Sequence, residues 1–152
     1  MDIILWRHAD AEPGLPDLQR SLSAKGQTQA RRMGQWLDTQ LPDSCQILAS
    51  PARRTLQTAE ALGRKFKLHA DLAPGFDAED ILKAANWPGA RESVLIVGHQ
   101  PTLGQLAALL LTGQEQDWDF GKASVWWFSQ SVPGDAASVY LKAVMPHELL
   151  VK

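Results

Sequence analysis

The 152-residue chain holds a single cysteine, Cys45. One thiol closes no internal disulfide and builds no cysteine metal site. Cys45 therefore reads as a small buried hydrophobe, and a chain without disulfides suits a reducing cytoplasm. An excess of either charge is missing too. The formal net charge is −2, with 15 Lys and Arg against 17 Asp and Glu. The signs are mixed along the chain, so the basic surface of a general nucleic-acid binder is absent. No apolar run approaches the ~18 residues of a membrane span. The N-terminus passes straight into Ile3-Ile4-Leu5, without the basic stretch and small-residue cleavage site of a secretory leader. There is no phosphate-cradling glycine loop, no dinucleotide fingerprint, no heptad and no repeat. The expectation is a cytoplasmic protein with no nucleic-acid or membrane partner.

What is present is ordinary globular material, 45% hydrophobic and 21% charged. The length fits one compact domain, residues 1–152, able to bury a core without staples. Residues 2–6 read as a short buried strand. Pro13, Gly14 and Pro16 make 9–20 a loop. Ser23 can cap a helix reaching about Leu41, with Ala30, Met33, Leu37 and Leu41 on one face. Residues 46–49 form a second strand, and Ser50-Pro51 reads as the N-cap and first residue of the next helix. A third strand is expected over 67–72 and a short helix over 78–86. Val94-Leu95-Ile96-Val97 has the continuous apolar run of a strand buried on both faces. Thr102 can cap a helix carrying Leu103, Leu106, Leu109 and Leu110. Residues 123–128 and 138–144 are rich in β-formers and can add an antiparallel edge. Strands alternating with helices predict an α/β class, a three-layer α/β/α sandwich around a mostly parallel sheet.

In such sheets ligands bind beyond the carboxyl ends of the strands. The first strand is followed by Arg7 and His8, the second by Ser50, Pro51, Arg53 and Arg54, and the Val94–Val97 strand by Gly98 and His99. If these strands are neighbours, two histidines and up to three arginines share one rim. Arginine presents a rigid, always-charged fork that matches phosphate oxygens. A neutral imidazole can accept a phosphoryl group and later release it to water. A second, protonated histidine would instead stabilise charge on the equatorial oxygens. A single histidine after a strand is more often a packing residue, and His69 and His147 lack even this context. A zinc site on His8 and His99 lacks ligand spacing, so no metal and no cofactor are expected. Ser50 lacks the surroundings of a serine-hydrolase nucleophile.

Three segments together resemble a known family. Leu5-Trp6-Arg7-His8-Ala9 resembles the Arg-His-Gly signature of the histidine phosphatase superfamily, which includes the phosphoglycerate mutases. Ser50-Pro51-Ala52-Arg53-Arg54-Thr55-Leu56-Gln57-Thr58-Ala59 resembles its second signature, a serine, an arginine four residues on, then Gln-Thr. Val97-Gly98-His99-Gln100-Pro101 resembles its late histidine turn. The order is the family's, and the three span most of the chain. The resemblance implies the phosphoglycerate mutase-like fold, with His8 as the phosphorylated catalytic nucleophile and Arg7, Arg54 and His99 as the phosphate-binding partners. Arg54 holds the matching place, and Arg53 is left as a solvated helix charge. Ala9 stands where the signature has glycine, a difference that matters if the backbone there needs φ > 0.

The short chain and its Arg-His-Ala-Asp-Ala-Glu opening resemble the SixA branch. That branch removes phosphate from histidine in signalling proteins such as histidine phosphotransfer domains. The resemblance therefore implies a metal-independent phosphohistidine phosphatase acting in signal transduction on a phosphorylated protein partner. Two alternatives stand beside it: a small-molecule phosphomonoesterase or mutase acting on a small phosphate ester, and a phosphate-binding module without catalysis. The family's acidic proton donor has no fixed place here. Asp77, Glu79 and Asp80 lie in the right part of the chain, and they also read as N-terminal helix charges. A weak or missing donor would favour N–P over O–P substrates, because imidazole is a far better leaving group than an alkoxide.

Overall fold

The computed structural model describes residues 1–150. The strands are β1 (Ile3–Arg7), β2 (Gln46–Ala49), β3 (Lys67–Leu68), β4 (Val94–Gly98), β5 (Val125–Gln130) and β6 (Val139–Met145). They form one sheet in the order β3-β2-β4-β1-β5-β6. β3, β2, β4 and β1 are mutually parallel. β5 pairs antiparallel with β1, and β6 antiparallel with β5. The expected mostly parallel sheet with a late antiparallel edge is what the chain builds.

Side-chain alternation divides the core into two layers. Ile3, Leu5, Val94 and Ile96 point to one side, where helices α3 (Ala78–Ala84) and α4 (Thr102–Thr112) supply Ile81, Leu103 and Leu106. Ile4, Trp6, Leu95 and Val97 point to the other, against Met33 and Leu37 of α1 (Ala24–Gln40) and Ala59 of α2 (Arg53–Glu60). Helices on both faces explain why the central strands read as unbroken apolar runs. Trp126 and Trp127 take opposite faces as alternation requires, and neither is left exposed. Trp126 stacks on Phe120 at 4.6 Å, and Trp127 donates to Asp2 Oδ2 at 2.8 Å.

Several boundaries differ from expectation. Ser23 does cap α1, accepting from Gly26 N at 3.0 Å. Ser50 does not cap α2: the helix starts at Arg53 with Ala52 as N-cap, and the Ser50 hydroxyl instead meets His99. Thr102 is the first residue of α4, whose N-cap is Pro101; its hydroxyl donates to the Phe76 carbonyl at 3.1 Å. The strand expected over 67–72 stops at Leu68, because His69 Nδ1 accepts from Asp71 N and caps a 3₁₀ turn at Ala70–Leu72. α3 ends at Ala84 rather than Asn86, which turns to a φ of 59°.

Adjacent strands β1 and β4 send their following helices, α1 and α4, to opposite faces of the sheet. A crevice opens at such a switch point, between the carboxyl ends of the two strands. Its wall depends on a close approach of α1 to the segment leaving β1. A Cβ on Gly26 would stand 1.9 Å from the Asp10 carbonyl oxygen. Gly89, by contrast, faces open space. Gly26→Ala is therefore expected to lower stability in urea denaturation by at least about 2 kcal/mol, whereas Gly89→Ala stays within about 0.5 kcal/mol.

Candidate active site

Register carries the signature residues to one rim. Arg7 lies opposite Gly98, and Ala49 opposite Val97. His8 and His99 therefore leave the sheet at one level, with Ser50 one residue behind them. His8 N donates to Gly98 O and Ser50 N to Val97 O, both at 3.1 Å. The two imidazoles are 7% and 5% exposed, with ring centroids 5.4 Å apart.

The His8 ring is fixed by its neighbour. Nδ1 lies 2.7 Å from the Ala9 carbonyl oxygen. A carbonyl only accepts, so Nδ1 carries the proton and Nε2 keeps its lone pair. Burial holds the His8 pKa down to about 4. The Ala9 hydrogen bond opposes this, and Arg54, Arg7 and Arg20 reinforce it. Burial, then His8 and the same arginines, hold His99 at about 3. Near neutral pH both rings of the free site are uncharged. Only glycine and two other residues, Asn86 and Ala123, have positive φ among the described residues. Ala9 thus needs no glycine freedom, and its methyl replaces the signature glycine without backbone strain.

The strand-exit segment and the far end of its loop are both held by side chains. Ala9 N donates to Thr58 Oγ1 at 3.1 Å, Asp10 N to Gln29 Oε1 at 3.0 Å, and Leu22 N to Gln57 Oε1 at 2.7 Å. The Gln-Thr pair of the second signature is thus a clamp on the chain around the histidine. The Asp10 carboxyl is held below its usual range by hydrogen bonds from Lys122 and Ser23; it is an acceptor rather than an acid.

The arginines separate cleanly. Arg53 is exposed, whereas Arg54, one position along α2, is 5% exposed and turns inward with Thr55, Thr58 and Ala59. Arg54 Nη1 donates to the Asp17 carbonyl at 2.9 Å and Nη2 to Asp17 Oδ2 at 3.1 Å. Arg7 Nη1 donates to the Phe120 carbonyl. A third arginine, Arg20, lowers both histidine pKa values, so its charge belongs to this site. Sequence reasoning missed it because it lies in the 9–20 loop, where no periodicity marks an inward side chain. Nε of Arg7, Arg20 and Arg54 and Nδ1 of His99 are buried without hydrogen-bond partners. Buried donors rarely stay unpaired, and this group suits an anion.

Other candidates fall elsewhere. Asp77 caps α3 by accepting from Asp80 N at 3.0 Å, and Asp80 returns the contact to Asp77 N at 3.0 Å. Glu79 is exposed in the same first turn. His69 caps its 3₁₀ turn, and His147 faces Glu148 at 2.8 Å. Ser50 Oγ shares a 2.7 Å hydrogen bond with His99 Nε2, but His99 Nδ1 meets no carboxylate to complete a hydrolase triad. Burial pushes the Cys45 thiol up to about 11, an inert value. Among the described residues, no three His, Cys, Asp or Glu side chains are grouped to hold a metal ion, and no helix is long and apolar enough to cross a membrane.

A three-layer sandwich with two uncharged histidines among arginines, set at its switch point, defines an α/β protein with a cationic, histidine-lined crevice. The profile of the histidine phosphatase superfamily (branch 1) matches residues 3–81. The chain is 32% identical over 124 residues to the phosphohistidine phosphatase SixA of Escherichia coli K12, covering 75% of this chain and 76% of that protein. The solved structure of the protein histidine phosphatase SixA complexed with tungstate superposes with a TM-score of 0.80 at 26% identity, over 99% of this chain and 100% of that one. A phosphoserine phosphatase of Entamoeba histolytica, in complex with phosphoserine, shares the fold at 15% identity and a TM-score of 0.73, over 99% of each chain. The protein belongs to the histidine phosphatase superfamily and is a phosphatase similar to the SixA proteins.

Unfolded imidazoles protonate near pH 6.5, but His8 and His99 resist a proton until about pH 4 and about 3. Between these limits the unfolded chain binds more protons, so this part of the stability is complete above about pH 6.5 and is lost as pH falls. Thermal melts should show a slope of up to about 1.4 kcal/mol per pH unit from each ring between about pH 6 and 4. In His8→Asn or His99→Asn that ring's share of the slope should vanish.

Proposed function

We propose that this protein removes phosphate from phosphohistidine on a protein substrate, through a phosphoenzyme on His8. The observation that carries the reading is the His8 tautomer: Nδ1–H is committed to the Ala9 carbonyl, and an uncharged Nε2 is left as the nucleophile. Nε2 forms a bond to phosphorus as the substrate P–N bond breaks, with that electron pair staying on the departing imidazole. Water then attacks the phosphorus, the P–Nε2 pair returns to His8, and inorganic phosphate leaves. Arg7, Arg54 and Arg20 hold the phosphoryl oxygens throughout. Burial, then the fields of His8 and the arginines, keep His99 uncharged in the free site; a bound dianion opposes the arginine part of this and favours a proton on His99, which would then be a charged donor.

Two observations favour an N–P substrate. Asp77 and Asp80 are occupied in a helix cap, and Asp10 is held ionised by Lys122 and Ser23. An alkoxide leaving group would need a proton from such an acid; the ring of a phosphohistidine protonated at its distal nitrogen departs as neutral imidazole and does not. The similarity to proteins named phosphohistidine phosphatase points the same way. The partner we propose is a histidine phosphotransfer-type domain in cytoplasmic signal transduction.

The deciding experiment compares kcat/KM on a phosphohistidine-bearing protein, a phosphoserine peptide and small phosphate esters. Preference for phosphohistidine by tenfold or more is expected; equal efficiency would replace this reading with a general phosphomonoesterase, and binding without turnover with a phosphate-binding module. Rapid quench into alkali should trap a phosphoenzyme in the wild type and none in His8→Ala. Arg54→Ala should lower kcat on the order of 10²-fold, and Arg53→Ala should change it by less than about twofold, because Arg53 faces solvent.

A further inference from the structure

Asp17 is the carboxylate bound to the Arg54 guanidinium of the anion site. It sits in a 3₁₀ turn, Asp17–Gln19, inside the loop between β1 and α1. The ion pair is lopsided: the Arg54 side chain is 6% exposed and that of Asp17 51%. Arg54 thus reaches outward from the pocket floor, and Asp17 meets it on the solvent side. Arg20 approaches the same carboxylate, with Nε 3.7 Å from Oδ1. Arg54 gives Asp17 one hydrogen bond from each Nη nitrogen, while Nε–H has no partner. A guanidinium has five N–H donors in a planar fork. The Nε side therefore stays free for phosphoryl oxygens while Asp17 keeps the Nη end, so anion and carboxylate can share Arg54.

This places a carboxylate at the mouth of a site whose floor is His8. Displacement at phosphorus is in line, so the leaving group departs on the side away from His8, toward solvent. A carboxylate there, between two guanidiniums, accepts hydrogen bonds. Facing an alkoxide it offers nothing but repulsion. Facing a phosphorylated imidazole it has a partner, because the ring nitrogen that does not carry phosphorus can hold a proton.

We propose that Asp17 is the specificity-determining residue of this site, accepting a hydrogen bond from the distal ring N–H of a phosphohistidine and holding that imidazole protonated. This rests on the phosphohistidine reading above and gives it a residue. The P–N bond of a ring protonated at its distal nitrogen breaks with the electron pair passing to the nitrogen that leaves phosphorus. The ring departs as neutral imidazole, its distal proton retained, while Nε2 of His8 forms the new bond to phosphorus. No proton transfer accompanies the step, so no general acid is required. The groups that face Asp17 are Arg54 from α2 and Arg20 from its own loop.

The test uses the full chain with Asp17→Asn and Asp17→Ala, and two substrates: a phosphohistidine-bearing protein and p-nitrophenyl phosphate, whose phenolate leaves without a proton. Loss of Asp17 also alters Arg54, so the readout is the ratio of the two kcat/KM values, which cancels effects on phosphoryl binding. That ratio should fall at least tenfold in both variants. The phosphohistidine rate of the wild type should hold as pH rises past the ordinary imidazole value of about 6.5, and that of Asp17→Asn should decline there. An unchanged ratio with an unchanged pH profile overturns the role of Asp17 while leaving the phosphohistidine reading intact. A wild type with no preference for phosphohistidine overturns the reading itself. Asp17→Glu should recover part of the ratio; if it matches Asp17→Ala, the carboxylate is not what the substrate meets.

Discussion

The 2.7 Å hydrogen bond from His8 Nδ1 to the Ala9 carbonyl fixes which imidazole nitrogen keeps its lone pair, and much of the surrounding structure keeps that carbonyl in place. The peptide between Ala9 and Asp10 is anchored through its N–H to buried Gln29. The peptide before it is anchored to Thr58. Gln29 reaches Asp10 because α1 starts almost against it, an approach that Gly26 alone permits and the Ser23 cap aims. Thr58 also donates to the Arg54 carbonyl, so one hydroxyl ties the segment after His8 to the helix that carries the buried Arg54. Leaving such buried polar groups unmatched costs more than their mutual bonds contribute, which makes the arrangement close to all-or-none.

Charge distribution follows the same design. Two histidines of one chemistry are uncharged because both are out of water and inside the field of Arg7, Arg20 and Arg54. For a nucleophile that is the required state. For the second histidine it leaves a buried Nδ1 without a hydrogen-bond partner. Positive charge is thus fixed within the site, while carboxylates stay at its border: Asp10 on Lys122 and Ser23, Asp17 on Arg54. Phosphoryl transfer asks chiefly for positioned charge, and the site concentrates positive charge inside a rim of paired carboxylates.

The parts of the fold that could be read from sequence are those whose environment is uniform along the element. β1 and β4 are buried on both faces, so their apolar runs report them directly. α1 has a long stripe and a serine at its start. β3 was overestimated because its continuation is closed off by a local side-chain contact from His69, which no pattern of hydrophobicity records. Ser50 and Thr102 looked like caps since both residue types favour that role, yet each hydroxyl found a tertiary partner, His99 and the Phe76 carbonyl, and the helices began without them. Arg54 could be preferred over Arg53 only by resemblance, and burial now supplies the reason: it shares the inward face of α2 with Thr58. Arg20 and Asp17 left no trace, because an irregular loop has no period to betray which side chains turn inward.

By itself, the sequence determined the alternation of strands and helices and the chemical groups that follow each strand, since both depend on local hydrophobic pattern and on residue identity. Tertiary structure decided everything that depends on distance. Parallel pairing of β1 with β4 brought His8 beside His99, and the opposite exits of α1 and α4 opened the crevice that holds them. The fold of one loop over that crevice set Arg20 and Asp17 among residues far from them in the chain. Charge and proton location in a pocket are properties of neighbours rather than of residues, and only the folded chain chooses the neighbours.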